Sequence, residues 1–201
     1  MDIVSALMGY KAGGKAVLGG IVIGIVSNPA DVRIAAGGTA VFTVGAVGEA
    51  LNYSWKVSED GVNWDSLPGE TSATLSVTAA AELDGYRYRC DVSGANGDMR
   101  TNPAKLIIVP PPTITKQPQD QTVAVGETVA FAVEATGEGP LSYQWQYRGG
   151  GSWRNSTVAS ANTAAVSFVA KASFNGFQYR CIVTDAYGST TSDAVTLTVT
   201  E

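Results

Sequence analysis

The sequence predicts an all-β protein made of two tandem antiparallel β-sandwiches, preceded by an apolar, glycine-rich N-terminal arm. Three observations support this prediction: the chain repeats itself, apolar and polar residues alternate along short segments, and turn-forming dipeptides separate those segments. Alternation with a period of two places successive side chains on opposite faces of a strand. We expect an arm at 1–27 and two sandwich domains at 28–110 and 111–201.

The repeat is visible in three pairs of similar segments. Residues 39–44 (TAVFTV) correspond to 128–133 (TVAFAV), 51–55 (LNYSW) to 141–145 (LSYQW), and 85–90 (GYRYRC) to 176–181 (GFQYRC). The second copy follows the first by about 90 residues, close to the length of one small sandwich domain. Three prolines at 110–112 fall at the junction, and consecutive prolines favour an extended, semi-rigid linker. The two domains are therefore expected to form an elongated rod.

Within each repeat, the alternating segments end at turn signals. Residues 75–77 and 195–199 alternate apolar with polar side chains. Asp60-Gly61 and Asn96-Gly97 lie between such segments, and these dipeptides favour tight hairpin turns because their residues tolerate positive φ. Many short strands within about 90 residues are typical of an antiparallel sandwich.

The composition excludes several classes of function. The chain has 201 residues and no histidine, so it lacks the commonest general base and the commonest metal ligand. Its two cysteines lie in separate repeats, which excludes a zinc ribbon or a disulfide framework. The net charge of −5 argues against a nucleic-acid partner. We expect a protein that is not an enzyme and carries no cofactor or metal ion.

The N-terminal arm contains a short helical pattern at 2–10 and a continuous apolar run at 16–26. This run is too short to span a membrane as a helix, which needs about 20 residues. Because an exposed apolar segment of this kind associates with other surfaces, we expect an anchor that docks on another protein or self-associates. The candidate anchor residues are Ile3, Val4, Leu7, Met8, Tyr10, Val17, Leu18, Ile21, Ile23 and Ile25. The alternative is an extra strand that covers the first domain.

In both repeats a tryptophan is followed, about 35 residues later, by a Tyr-x-Cys motif, and this pattern resembles the immunoglobulin-like fold. Trp55 and Trp145 match the buried tryptophan of that fold, and Tyr88 and Tyr179 stand two residues before the cysteines. The resemblance implies a structural core that includes Trp55, Tyr88, Cys90, Trp145, Tyr179 and Cys181. Arg87, Arg89 and Arg180 alternate with these core positions, so we expect them to face outward and to pair with acidic residues on the same sheet.

Val44 and Val133 stand where antibody domains carry the second cysteine of their disulfide. The resemblance therefore implies domains without a bridge, in which the remaining cysteines act as small buried apolar residues and no oxidising compartment is required. Residues 53–64 (YSWKVSEDGVNW) resemble bacterial and bacteriophage immunoglobulin-like domains. The opening residues 1–11 (MDIVSALMGYK) resemble bacteriophage head-fibre or capsid-decoration proteins.

Three aromatic residues outside the expected core are candidate ligand contacts. Trp64 and Trp153 follow the same turn in the two repeats, and Tyr187 lies in a turn near the end of the second. Exposed aromatic rings offer flat apolar faces to ligands such as sugars. The alternative for the two tryptophans is packing against the edge of the sandwich.

These features lead us to expect a virion structural protein, a capsid-decoration or head-fibre protein on the virion surface. The arm would bind a major capsid or other virion protein, or other copies of itself, with a trimer as one arrangement. The two domains would adhere weakly and multivalently to a host surface or glycan. The alternative is an exported bacterial surface or secreted adhesion module with residues 1–27 as the export signal, for which a mature N-terminus near 28–31 is expected.

Overall fold

The structure of the protein, a computed structural model, describes residues 22–201. Eight of the ten predicted anchor residues, from Ile3 to Ile21, lie outside this range. Over the described part the protein is built from strands, and the predicted all-β fold with two tandem sandwiches is confirmed.

In the described residues, the first domain contains ten strands and one short 3-10 turn, Ala81–Leu83. The strands are β1 (Gly24–Ser27), β2 (Val32–Ile34), β3 (Thr39–Thr43), β4 (Gly45–Val47), β5 (Asn52–Ser58), β6 (Asp65–Ser66), β7 (Thr74–Thr78), β8 (Arg87–Gly94), β9 (Gly97–Arg100) and β10 (Ala104–Ile108). One layer has the order β2-β10-β8-β5-β6, with β9 paired to β8. The other layer consists of the ladders β1–β4 and β3–β7.

The second domain repeats this arrangement, with a 3-10 turn at Ala172–Phe174. Its strands are β11 (Thr113–Lys116), β12 (Gln121–Ala124), β13 (Thr128–Ala132), β14 (Glu134–Thr136), β15 (Ser142–Arg148), β16 (Arg154–Asn155), β17 (Ala165–Val169), β18 (Gln178–Thr184), β19 (Ser189–Thr191) and β20 (Val195–Thr200). The larger layer has the order β12-β20-β18-β15-β16, with β19 paired to β18. The ladders β11–β14 and β13–β17 form the opposite layer.

Each domain has a core centred on a tryptophan that is fully buried. Trp55 and Trp145 are 0% exposed, and their indole N–H groups donate hydrogen bonds of 2.8 Å and 3.0 Å to the carbonyls of Ser72 and Thr163. All six residues expected in the core are buried. The alternation along β8 and β18 explains the burial of the two tyrosines and the two cysteines, because every second side chain of these strands points between the layers.

Both cysteines are buried free thiols. Cys90 pairs with Trp55 across β5 and β8, and Cys181 pairs with Trp145 across β15 and β18. Burial raises the pKa of both thiols, that of Cys181 to about 11, so both stay protonated at neutral pH.

The structure corrects the prediction for Ile23 and Ile25, which we assigned to the anchor. Strand β1 pairs antiparallel with β4, with Ile25 opposite Ala46, and Ile25 packs against the core of the first domain. Ile23 is 6% exposed. The predicted boundary between the arm and the first domain, after residue 27, is therefore placed too late, because β1 belongs to the first sandwich. Cleavage near residues 28–31 would remove this strand, so an export signal that extends to residue 27 does not fit the fold.

Candidate functional site

The outer face of the first domain carries a tryptophan stacked with an arginine. Trp64 directly precedes β6 and is half-buried, and the guanidinium carbon of Arg89 on β8 lies 3.9 Å from its ring centroid. Arg89 does not pair with the neighbouring acid, because Lys56 and Arg100 already contact Asp91 at 3.3 Å and 2.6 Å. The expected pairing of Arg89 with a carboxylate is therefore replaced by contact with an aromatic ring. Burial lowers the pKa of Arg89.

The second domain places Trp153 beside two arginines on the equivalent face. The guanidinium carbons of Arg148 and Arg180 lie 4.6 Å and 4.2 Å from the Trp153 ring centroid. Arg148 Nε donates to Gln178 Oε1 at 2.8 Å, and Arg180 Nε donates to Gln146 Oε1 at 2.9 Å. Glutamines thus take the place of the expected acids, so within residues 22–201 no carboxylate forms an ion pair with either cation.

We name these two surfaces the arginine–tryptophan faces: Trp64 with Arg89, and Trp153 with Arg148 and Arg180. Both tryptophans pack on the edge of the large sheet and retain part of their surface exposed to solvent. Cation–π contacts at exposed sites contribute about 0.5–1 kcal/mol each. Tryptophan and arginine are enriched at binding surfaces, where each offers a large contact area.

The loop that leads into Trp64 is held by the side chain of Asp60. Its carboxylate accepts hydrogen bonds from the backbone N–H of Val62 at 2.7 Å and of Asn63 at 2.8 Å, and from the Asn63 amide and the Ser58 hydroxyl. These bonds favour the charged form, and they lower the pKa of Asp60 well below its usual range. In the second domain the same loop is a run of glycines, in which Gly150 and Gly151 both have φ of 86°.

Tyr187, the third candidate ligand contact, lies between the two domains. Together with the linker residues Pro110 and Pro111 it lines a cleft at the junction. Arg33 of the first domain donates a 2.9 Å hydrogen bond to Glu138 of the second. A hydrogen bond to the Tyr187 hydroxyl and the nearby Glu138 carboxylate raise the pKa of Arg33. The structure therefore places Tyr187, a residue of the second domain, in contact with Arg33 of the first domain and outside both arginine–tryptophan faces.

Residues 22–201 contain no group of three or more cysteine, aspartate or glutamate side chains placed to hold a metal ion. Within the same range, no helix has the length and apolar character needed to cross a membrane.

The chain is similar in sequence and in fold to proteins with immunoglobulin domains. The sequence model of the immunoglobulin I-set domain matches residues 112–199. A fragment of titin, I-band domains I67–I69, superimposes with a TM-score of 0.57 at 21% identity, covering 88% of this chain and 65% of the fragment. Both repeats have the immunoglobulin-like fold. The immunoglobulin-like fold that the sequence motifs predict is therefore confirmed for both domains.

Two relatives show similarity over most of the chain. Endoglucanase C of Cellulomonas fimi is 33% identical over 178 residues, which are 87% of this chain and 16% of that protein. Kin of IRRE-like protein 2 of Homo sapiens is 31% identical over 182 residues, which are 86% of this chain and 24% of that protein. The chain thus spans a quarter or less of these relatives. Nothing in these comparisons points to a bacteriophage, so the expected virion role has no support from them.

Sequence reasoning missed Arg148 and a group of aromatic residues in the second domain that includes Tyr147 and Phe177. Tyr147 and Phe177 occupy the positions that Val57 and Tyr86 occupy in the first domain. Alignment of the two repeats would have shown these exchanges. It would not have shown that Tyr147 and Phe177 line an open space.

Proposed function

We propose that the chain is a non-enzymatic adhesion module that works outside the cell. In this proposal the immunoglobulin-like domains are rigid supports, and each presents its arginine–tryptophan face to an extended carbohydrate surface. The exterior or surface of a cell is the usual setting of immunoglobulin-like relatives, which supports the extracellular adhesion part of the exported alternative over the virion hypothesis. The export signal at residues 1–27 is not part of this proposal, because β1 belongs to the first domain.

The observation that carries this proposal is the recurrence of a half-exposed tryptophan with an adjacent arginine at the same place in both domains. Core residues recur because the fold requires them, but a half-exposed aromatic ring on the outer face of a sheet is not required for the fold. The flanking guanidinium groups hold each ring in place and supply hydrogen-bond donors around it. A ring with donors at its edge suits a ligand that has both apolar faces and hydroxyl groups.

Carbohydrate is the favoured partner for two reasons. Sugar rings present C–H faces to aromatic rings and hydroxyls to the flanking donors. In addition, one of the proteins that are similar to this chain over most of its length is Endoglucanase C of Cellulomonas fimi, whose name describes an enzyme that acts on a glucan. Each face is small, so each contact is weak. The proposed adhesion depends on several domains binding the same surface at once.

Anchoring by the N-terminal residues stays a prediction. The anchor residues from Ile3 to Ile21 lie outside the described part of the chain, and Ile23 and Ile25 belong to the first domain. A virion protein or further copies of the chain as partners of the arm are not required for the proposed adhesion.

Adhesion can be tested by retention of the protein on solid polysaccharide. The biotinylated full chain would be bound to streptavidin as a tetramer and applied to cellulose, chitin and a sulfated polysaccharide. We expect the tetramer to be retained at least tenfold better than the monomer on one of them. The double variant Trp64→Ala/Trp153→Ala should lose this retention.

The matched control is the double variant Val41→Ala/Val169→Ala, which removes apolar side chains that are 50% and 54% exposed and lie on β3 and β17, in the layers opposite the large sheets. It should be retained like the unaltered chain. If the tetramer of the unaltered chain and the tetramer of the double tryptophan variant are retained equally on all three polysaccharides, the proposed function is contradicted.

A further inference from the structure

The second immunoglobulin-like domain has an open pocket beside its 3-10 turn. Its volume is about 190 Å³, and it is lined by Tyr147, Ser156, Thr157, Val158, Phe168, Phe174, Phe177 and Tyr179. Four of these residues carry a hydroxyl group and the other four have only carbon in their side chains. The pocket is separate from Trp64, Trp153 and Tyr187, the sequence-predicted ligand contacts.

The walls of the pocket are aromatic rings that pack on one another. Tyr147 and Phe177 are nearly parallel, with ring centroids 6.3 Å apart and an interplanar angle of 5°. Phe168 stacks on Tyr179 at 5.1 Å and meets Phe174 edge-on at 6.0 Å. Because each ring is fixed by its neighbours, the walls keep their shape without a ligand.

A glycine is required for this arrangement. A Cβ atom on Gly149 would lie 2.2 Å from Cε1 of Phe177, far inside van der Waals contact. The residue at the corresponding position of the first domain is Glu59, two residues after Val57 as Gly149 is two after Tyr147. The absence of a side chain at Gly149 thus leaves room for the Phe177 ring to lie against this loop.

The first domain closes the same place with an aliphatic side chain. The backbone N–H of Leu67 donates to the Trp55 carbonyl at 2.9 Å, as the N–H of Ser156 donates to the Trp145 carbonyl at 2.8 Å, so the two residues are equivalent. Leu67 packs against the core, and Ser156 lines the pocket. The pocket therefore comes from side-chain exchanges in the second domain and is not a general consequence of the fold.

We propose that this pocket binds a single neutral sugar ring of the carbohydrate surface. This inference rests on the proposed adhesion function and assigns it a specific site in the second domain. The volume suits one six-membered ring, the phenyl faces suit its C–H faces, and the hydroxyl-bearing residues suit its hydroxyl groups.

A charged sugar and an apolar side chain of a protein fit less well. No lysine, arginine, aspartate or glutamate lines the pocket, so a charged ligand would be desolvated without a partner. Burial and the neighbouring Tyr147 raise the pKa of Tyr179 to about 12, so its hydroxyl stays neutral. An apolar side chain would cover the hydroxyl groups and leave them without hydrogen bonds.

The test is an NMR titration of the isotope-labelled full chain, whose mass of 20.8 kDa suits this method. The probes are the methyl glycosides of glucose, galactose, mannose and N-acetylglucosamine. We expect at least one to shift signals of Ser156, Thr157 and Phe177, with a dissociation constant on the order of 1 mM, as for other ring-sized ligands.

The variant Ser156→Leu places in the pocket the side chain that Leu67 contributes at the equivalent position of the first domain. It should weaken glycoside binding at least tenfold. The matched control is Ser76→Leu, the same exchange at an exposed position of β7 in the first domain. It should leave the titration unchanged. p-Cresol, which mimics a tyrosine side chain, is titrated in parallel.

Two results would overturn the inference. The first is that none of the four glycosides shifts the NMR signals of the pocket residues, whatever the effect of p-cresol. If p-cresol alone shifts these signals, the occupant of the pocket is a protein side chain. The second is that glycoside binding persists in Ser156→Leu. Retention of the tetramer on polysaccharide is measured in a separate experiment. Adhesion through Trp64 and Trp153 can therefore be tested even if the pocket does not bind a sugar.

Discussion

The two immunoglobulin-like domains share a core and differ at its margins. Both bury a tryptophan completely beside a free cysteine, and both use the same strand order. They differ at the turn before the exposed tryptophan, where Asp60 is replaced by glycines, and next to the core, where Leu67 is replaced by Ser156. Strand pairing and central packing were thus retained after duplication, whereas residues free of those constraints diverged. Differences between the copies therefore mark the positions that strand pairing and central packing do not constrain.

The largest expected effect tests whether the two cores are equivalent. Trp55→Ala and Trp145→Ala should each lower the free energy of unfolding of its own domain by about 3–5 kcal/mol, because a fully buried aromatic side chain is replaced by a cavity. Urea denaturation followed by NMR signals of each domain would measure both values. A loss below about 1 kcal/mol in either domain would contradict the shared core.

An intermediate effect is expected where the domains differ in packing. Leu67→Ser should destabilise the first domain by about 1–2 kcal/mol, since it exposes apolar neighbours that Leu67 now covers. Ser156→Leu should leave the second domain equally stable or stabilise it by up to about 1 kcal/mol, because an open pocket can accept the side chain. The same denaturation measurement applies. Strong destabilisation by Ser156→Leu would show that the pocket lacks the space described.

The smallest expected effect is local and depends on pH. The folded-state pKa of Asp60 is lowered by its hydrogen bonds. Its contribution is therefore fully present above about pH 4, the ordinary pKa of an unfolded aspartate, and is lost as the pH falls toward the folded-state pKa. Amide signals of Val62 and Asn63 should shift in this acid range, while those of Gly150 and Gly151 stay constant.

Asp60→Asn provides the control for this titration, because an amide oxygen can still accept the backbone hydrogen bonds but does not ionise in this range. Its loop signals should not respond to acid. A midpoint near pH 4 in the unaltered chain would contradict the stabilised carboxylate.

The sequence was sufficient for features that depend on local pattern and duplication. The two sandwiches followed from alternating segments and repeated motifs, because burial imposes a period of two on each strand. Ile23 and Ile25 were misassigned because a run apolar on both faces suits either a free anchor or a strand. Pairing of β1 with β4 decides between them, and it depends on residues about 20 positions away.

The candidate site was predictable only in part. Trp64 and Trp153 could be singled out because they recur after the same turn, but their arginine partners lie on other strands and depend on sheet register. Tyr187 was found as a loop aromatic, and its position at the junction depends on how the domains pack. The aromatic pocket combines residues of β15, β17 and β18 with the segment after β16, so local pattern does not reveal it.

The central claim is that the arginine–tryptophan faces of both domains act together in adhesion. The most direct measurement compares polysaccharide retention of the tetrameric full chain with that of Trp64→Ala, Trp153→Ala and the double variant. If both faces bind, each single change should lower retention about tenfold, and the double change should lower it by about the product of the two losses. Retention of the double variant at the level of the unaltered chain would contradict the account.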